Sequence, residues 1–319
     1  MTTLTGAVDS VRLLFAESPN FEAQNQVEAS VAPWWALPAA TLIGGVIAWS
    51  AAWFSARQLR RSAQEEIRHE QARLLNERFV AAAELLGHDE PACRLAGIHA
   101  MAGLADDWAE RERRQTCIDV LCAYLRMPYP PEPAESARIE ERCAWQAARE
   151  VRHTVIRTIR DRLHPRISGS VASWEGYDFD FTGVVFDGGS FRKARFTGGY
   201  VSFRGAEFTG DLVNFRGSVF AGGNVSFDRA TFAANRVGFR DAEFIGGYVS
   251  FDYATFIRGY VTFRDADFTG GTVSFRNAKF SGGKVNLQKP KAWTVPPIFD
   301  DAVLADPPAA LLLPKPAES

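Results

Sequence analysis

Between Val201 and Phe280 one pattern, V-x-F-x-x-A-x-F-x-G-G-x, returns every twelve residues. Its phenylalanines are separated alternately by five and seven residues, and a small residue, Val, Ala or Ser, stands two positions before each of them. A chain that repeats buried aromatic residues and turn residues at so short a period can bury each unit only against copies of itself. The pattern therefore predicts a β-solenoid.

The glycine pairs of this region predict the length of one coil. The strict pairs recur every twenty-four residues: Gly198-Gly199, Gly222-Gly223, Gly246-Gly247 and Gly270-Gly271. The corners between these pairs are looser in sequence. A stacked position that needs a positive φ or a close backbone approach keeps Gly in every coil. We therefore predict coils of twenty-four residues, with residues twelve apart on opposite sides. Upstream, the phenylalanines are spaced by five throughout, which predicts that the solenoid begins with a tighter repeat: Phe181, Phe186, Phe191 and Phe196.

These residues also carry a family resemblance. The run GYDFDFTGVVFDGGSFRKARF, followed by FRGAEF, FDRATF, FRDAEF and FRDADF, resembles pentapeptide-repeat proteins over about residues 177–287. The resemblance implies a right-handed quadrilateral β-helix with residues i and i−2 of each repeat pointing inward. Upstream, ERFVAAAELLG, RLAGIHAMAGLA, CAYLRMPYP and REVRHTVIRTIRDRL are similar to the helical segment of actinobacterial membrane-anchored members. The alternating spacing and near-exclusive use of Phe depart from the usual motif of that family.

The N-terminal part of the chain contains a candidate membrane span. No charged residue occurs from Val31 to Ala56, which is long enough to cross a bilayer, and aromatic residues lie near both ends. A buried core helix or a signal peptide is the alternative, but the leader is acidic and nothing else in the chain could surround the segment. We predict a transmembrane helix at 32–56. The positive charges that follow place the tail 1–31 outside and the rest in the cytoplasm: Arg57, Arg60 and Arg61.

The middle segment, residues 57–165, is predicted to be helical. A stalk helix should end at Gly87, and a linker or ordered loop, PYPPEPAES, occupies 128–136. Three further helices are expected at Cys93–Ala105, Arg113–Arg126 and Arg138–Leu163. The fold is thus multidomain: one transmembrane helix, an α-helical segment and a β-solenoid.

The two ends of the solenoid differ in what the sequence predicts for them. We place the solenoid at 174–287, with Trp174 and Tyr177 covering its first phenylalanine layer, since an open end would expose strand edges. For the Pro- and Ala-rich tail, 288–319, the sequence favours disorder over a catalytic role, and whether the tail is ordered stays open.

No motif in the sequence indicates catalysis or metal binding. The five histidines are scattered without an evident partner, and His69-Glu70 lacks the second His of a zinc protease. The four cysteines show no C-x-x-C spacing and are interpreted as buried, reduced thiols. We therefore expect no enzymatic activity, no cofactor and no metal site.

One surface feature is a column of arginines spaced by twenty-four residues: Arg192, Arg216, Arg240 and Arg264. The column is interpreted either as a binding stripe for an acidic partner or as a solvated ladder, in which Asp241 and Asp265 pair with neighbouring arginines. The same spacing predicts a second column on another face, with the members Asp180, Arg204, Asp228, Asp252 and Arg276.

Two functions remain open from sequence alone. The first is a membrane-anchored, non-enzymatic scaffold that presents the solenoid to an unidentified protein partner. The family resemblance supplies the alternative, a DNA mimic that binds a topoisomerase. Mimicry needs a strongly acidic surface, but residues 177–287 carry 13 Lys or Arg against 11 Asp or Glu. The sequence therefore favours the scaffold, and the pI near 6.3 argues against nucleic-acid binding.

Overall fold

The computed structural model describes residues 53, 57, 66, 70–164 and 173–315. The predicted tail at 1–31 and nearly all of the predicted span at 32–56 lie outside the described residues. No helix in the described part of the chain is both long and apolar enough to cross a membrane. The chain divides into two compact units, Met1–Arg68 and His69–Ser319. All elements named below belong to the second unit.

Among the described residues of the second unit, four helices precede the solenoid. Residues 70–86 form α1, and Gly87 follows its last residue as predicted. The other three begin and end within two residues of the predicted bounds: α2 (Pro91–Asp107), α3 (Arg111–Arg126) and α4 (Ile139–Leu163). Proline suits the first turn of α2, because a residue there needs no backbone N–H for the helix.

The apolar stripe of α4 forms the centre of the helical core. Val151, Val155, Ile159 and Leu163 recur every four residues, lie on one helix face and are fully buried. Both α2 and α3 pack against α4. In α2, Gly97 permits close approach to the end of α1, because a Cβ at this position would lie 2.6 Å from the backbone nitrogen of Leu86.

The solenoid consists of short parallel strands in three sheets. The first sheet contains β1 (Phe179–Asp180), β4 (Arg195–Phe196), β5 (Tyr200–Ser202), β8 (Val219–Ser226), β11 (Glu243–Ser250), β14 (Asp267–Ser274) and β17 (Ala292–Trp293). The second contains β2 (Val185–Phe186), β6 (Glu207–Phe208), β9 (Thr231–Phe232), β12 (Thr255–Phe256) and β15 (Lys279–Phe280). The third contains β3 (Gly189–Ser190), β7 (Leu212–Asn214), β10 (Arg236–Gly238), β13 (Tyr260–Thr262), β16 (Lys284–Asn286) and β18 (Leu311–Leu312).

The long strands of the first sheet give each central coil four sides. Because β8, β11 and β14 are eight residues long, each continues through a Gly-Gly corner and supplies two sides. The other two sheets supply one side each. The architecture is a right-handed-type β-solenoid of about six turns that follows a helical segment.

The strand register confirms the predicted coil length. Val213 pairs with Val237, and Val237 with Val261, so neighbouring positions are twenty-four residues apart. The first coil is shorter, since Phe186 pairs with Phe208, twenty-two residues on. This coil contains three five-residue intervals between phenylalanines, where later coils contain two, and it is the tighter start that the sequence predicted.

The phenylalanines fill the interior as stacked columns. The rings of Phe215 and Phe239 lie parallel with centroids 4.8 Å apart, which is the strand spacing. Within a coil, Phe215 meets Phe227 edge to face at 5.7 Å. Both geometries are favourable for aromatic rings. From Phe179 to Phe275 every phenylalanine is at most 1% exposed.

The strict glycine pairs have two separate causes. Gly223 has φ +67°, and a Cβ there would lie 2.2 Å from the carbonyl oxygen of Gly199 in the coil before. Gly222 has no positive φ, but a Cβ would lie 2.5 Å from the carbonyl oxygen of Thr197. Both positions therefore require glycine, one for conformation and space and the other for space alone.

Helices cover the N-terminal end of the solenoid. The strand β1 packs against α3, and β3 packs against α4. Buried Arg152 of α4 donates to the carbonyl oxygens of Leu125 at 2.8 Å and Val185 at 2.9 Å, which ties α3 to the first coil. Trp174, which we expected to act as the cover, is buried and donates its indole N–H to Asp106 at 2.9 Å.

The preference for disorder in the tail at 288–319 is wrong for the residues up to 315. The strands β17 and β18 extend two of the sheets, and the ring of Phe299 stacks on Phe275 at 5.0 Å. A short helix, α5 (Asp301–Ala305), lies between them. Trp293, Phe299 and Leu311 occupy the positions of one further coil. Prolines and α5 lengthen its segments, so its sequence no longer shows the repeat.

The stacked core gives a direct test by substitution. We expect Phe239→Ala to lower the free energy of unfolding by about 3–5 kcal/mol, because the rings above and below are held by their own strands and cannot fill the cavity. The neighbouring Arg240→Ala should cost less than about 1 kcal/mol, since its ion pairs are exposed. Chemical denaturation of both variants measures the difference. Equal losses would contradict the assignment of inward and outward positions.

Candidate functional site

The structure stacks the four arginines of the predicted column at one corner of the solenoid: Arg192, Arg216, Arg240 and Arg264. Each follows a buried phenylalanine and occupies the second position of a tight turn. Backbone hydrogen bonds join successive turns, for example from the N–H of Asp241 to the carbonyl oxygen of Arg264 at 3.1 Å. The column is therefore continuous over four coils.

Three of these arginines belong to an Arg–Asp ladder, which consists of Arg216, Asp241, Arg240, Asp265 and Arg264. Asp241 lies 2.9 Å from Arg216 and 3.8 Å from Arg240. Asp265 lies 3.1 Å from Arg240 and 3.5 Å from Arg264. Each carboxylate thus contacts the arginine of its own turn and the arginine of the coil before. This is the pairing that the solvated-ladder interpretation anticipated.

The second predicted column contains one misplaced residue. Asp180 pairs in register with Ser202, not with Arg204, because the first coil is two residues shorter than the others. Its carboxylate instead forms an ion pair with Arg126 of α3. Further along that column, Asp252 accepts hydrogen bonds from the hydroxyl of Ser274 at 2.5 Å and the backbone N–H of Arg276 at 2.9 Å.

A groove of about 770 Å³, here named the junction groove, lies between the helical segment and the solenoid. One wall comes from the loop after α3 and from α4: Tyr129, Pro130, Pro131, Glu132, Trp145, Gln146 and Arg149. The solenoid supplies the other wall: Val185, Asp187, Glu207, Thr209, Gly210, Asp211, Asn235 and Arg258. The groove therefore combines aromatic, proline and charged side chains from segments far apart in sequence.

Trp145 is the least satisfied side chain of the junction groove. Its ring stacks on Tyr129 with centroids 6.4 Å apart, and the guanidinium of Arg149 lies 5.7 Å from its centroid. The indole nitrogen is buried and has no hydrogen-bond partner among the described residues. A buried N–H without an acceptor is costly, so the wall of the groove contains one unsatisfied donor behind a half-buried aromatic pair.

A comparison with protein families supports the architecture. The model for pentapeptide repeats, nine copies, matches residues 234–279. The solenoid of this chain therefore contains pentapeptide repeats. Comparison with curated proteins and with solved structures gave no match.

A polar cluster, the Asp187 cluster, joins the pentapeptide-repeat solenoid to α4 beside the groove. One carboxylate oxygen of Asp187 accepts hydrogen bonds from the hydroxyl of Tyr129 at 2.8 Å and from Nε of Arg149 at 2.9 Å. The other oxygen lies 2.9 Å from Nε2 of His153. Burial alone would raise the pKa of Asp187. The hydrogen bonds from His153 and Tyr129 and the charges of His153 and Arg149 outweigh burial and lower the pKa below its ordinary value.

The remaining histidine and cysteine predictions are partly corrected. We assigned no partner to any histidine, which is wrong for His153 because the first coil brings Asp187 beside α4. Cys117 and Cys122 are buried thiols as predicted, whereas Cys143 is exposed. Burial raises the pKa of Cys117 to about 11, so this thiol is inert at neutral pH. Within the described residues no group of three His, Cys, Asp or Glu is placed to hold a metal.

Sequence reasoning did not find the junction groove. Its walls come from six separate stretches between residues 129 and 258, and no short motif connects them. The one local signal was the PYPPE run at 128–132, which we interpreted only as a linker or ordered loop. Tyr129, at its start, contacts both Trp145 and Asp187.

The lowered pKa of Asp187 predicts a pH-dependent contribution to stability. Since the folded-state pKa lies below the ordinary 3.8, the ionised carboxylate stabilises the fold above that pH, and the contribution is lost as the pH falls through the folded-state value. Asp187→Asn should cost about 1–3 kcal/mol at pH 7. The difference from wild type should shrink below about pH 4. Chemical denaturation of both proteins at several pH values measures the difference in unfolding free energy. A difference that does not change with pH would contradict a lowered pKa of Asp187.

Proposed function

We propose that this protein is a non-enzymatic interaction scaffold that binds an extended segment of a partner protein in the junction groove. The pentapeptide-repeat solenoid by itself suggests a protein-interaction scaffold. Its stacked core makes a rigid wall, because each coil is hydrogen-bonded to the next along three sheets. The loop after α3 and the N-terminal half of α4 form the opposite wall.

The observation that carries this proposal is the aromatic pair of Tyr129 and Trp145, which lines the junction groove with ring centroids 6.4 Å apart. Trp, Tyr and Arg dominate the binding energy of protein interfaces, and the groove presents one of each at contact distance: Trp145, Tyr129 and Arg149. Aromatic-lined grooves hold extended, proline-rich peptides, and Pro130 and Pro131 extend the apolar surface beside the aromatic pair.

The Arg–Asp ladder is the weaker candidate for a docking surface. Its charges alternate and neutralise one another at exposed positions, so little net field remains to attract an acidic partner. The same alternation disfavours a DNA mimic, because a duplex presents a continuous row of negative charge.

Site-specific photo-crosslinking in cells tests the groove. The photoreactive amino acid p-benzoylphenylalanine at position 146, an exposed groove position, should give discrete crosslinked species. The same amino acid at position 276, which is exposed but does not line the groove, is the matched control and should give none of these species. Trp145→Ala in the first protein should abolish them, since it removes the ring that stacks on Tyr129 and lines the groove. Identical species from both positions, or species that persist after Trp145→Ala, would overturn the proposal.

We also propose that the predicted span at 32–56 tethers this scaffold to a membrane with the solenoid in the cytoplasm. The support is the uncharged stretch and the arginines that follow it: Arg57, Arg60 and Arg61. A reporter that is active only in the cytoplasm should work when fused after Ser319, and replacing the three arginines by Glu should weaken that orientation. Activity of a reporter that works only outside the cytoplasm would reject the assignment.

A further inference from the structure

The turn that holds Arg192, the first arginine of the column, differs in charge from the turns that hold the others. Arg192 and Lys193 occupy a turn of the first coil, and the N–H of Lys193 donates to the carbonyl oxygen of Arg216 at 3.0 Å. The turn position of Lys193 is taken by Gly217 in the next coil and by the aspartates of the Arg–Asp ladder in the two coils after that. All of these residues have φ between +56° and +65°. The position is therefore equivalent in all four coils, and only its charge differs.

The ladder has a pairing rule that fails for Arg192. Each carboxylate contacts the arginine of its own turn and the arginine one coil earlier, as Asp241 contacts Arg240 and Arg216. For Arg192 the two corresponding positions hold Lys193 and Gly217, and neither has a carboxylate. Among the described residues neither Arg192 nor Lys193 forms an ion pair.

The C-terminal end of α4 completes a cavity at the same place. Arg160, His164, Arg192 and Lys193 line a cavity of about 290 Å³. Asp161 pairs with Arg160 and offsets that charge. Burial and the charges of Lys193 and Arg160 lower the pKa of His164, as expected in a positive field. Residues 165–172, which follow α4, contain no Asp or Glu in their sequence.

We propose that this cationic pocket, formed by Arg160, His164, Arg192 and Lys193, binds a phosphate group. A guanidinium and an ammonium side by side provide charge-assisted donors for phosphate oxygens, and Arg192 can donate two parallel hydrogen bonds. The phosphate belongs either to a free anion or to a lipid headgroup. This inference goes beyond the scaffold proposal and does not depend on it, because the cavity and the junction groove have no lining residue in common.

The ladder itself suggests the decisive variant, Gly217→Asp. A Cβ at position 217 would meet only Cγ of Lys193 at 3.5 Å, an ordinary contact, and Asp already adopts this backbone conformation at two equivalent positions. The new carboxylate should pair with Arg192 and extend the ladder by one coil. We expect the thermal unfolding midpoint to stay close to that of wild type and phosphate binding to weaken at least about tenfold.

The assay is calorimetric titration of the purified full chain with two probes, inorganic phosphate and a soluble short-chain phosphatidate, at constant ionic strength. Equal binding of both probes supports recognition of the phosphate alone, and binding of phosphatidate only supports the lipid source. Arg192→Gln should weaken binding as Gly217→Asp does, which keeps the test valid if the latter fails to fold. Arg276→Gln, at the same turn position of the opposite corner, is the control and should bind like wild type. No binding of either probe, or unchanged binding by Arg192→Gln, overturns the proposal.

Discussion

Stacking of phenylalanine rings at the spacing of hydrogen-bonded strands is the interaction on which this structure depends. The rings of Phe227 and Phe251 are parallel with centroids 4.7 Å apart, so ring contact and strand pairing require the same rise per coil. A single coil has no other way to bury its rings, and its stability comes from its neighbours. This explains why the ends need separate cover, from α3 and α4 at one end and from β17, Phe299 and β18 at the other.

The same register determines how charge is arranged outside. Once residues twenty-four apart stack, a like-charged column is unavoidable unless a neighbouring position supplies the opposite sign. Asp241 and Asp265 do so, at turn positions with a positive φ that Asp and Gly tolerate better than most residues. Asp241 and Asp265 therefore offset much of the charge of the arginines beside them, whereas the turns of the first two coils hold Lys193 and Gly217 and have no carboxylate at this position.

The sequence was sufficient to predict what periodicity controls. Coil length, inward phenylalanines and the requirement for glycine at 222 and 223 follow because every coil repeats the same environment. What it could not predict depends on aperiodic contacts. The last coil was missed because prolines and α5 separate Trp293, Phe299 and Leu311 by intervals that match no repeat. The junction groove was missed because Tyr129, Trp145 and Asp187 come from a loop, a helix and a coil, and only the packing of α4 brings them together.

Both candidate sites lie where the repeat is broken, along one helix. A regular lattice offers the same side chains in every coil, so it cannot build a unique site without an interruption. The first coil provides this interruption. Because Gly189 has no side chain, α4 packs close to it, and a Cβ at position 189 would lie 3.2 Å from Cδ1 of Ile156. The part of α4 before Ile156 carries Trp145 and Arg149 to the groove and His153 to the Asp187 cluster, and the part after it carries Arg160 to the cationic pocket. Since α4 rises about 1.5 Å per residue, fifteen residues separate the two sites by roughly 20 Å, and they can bind independently.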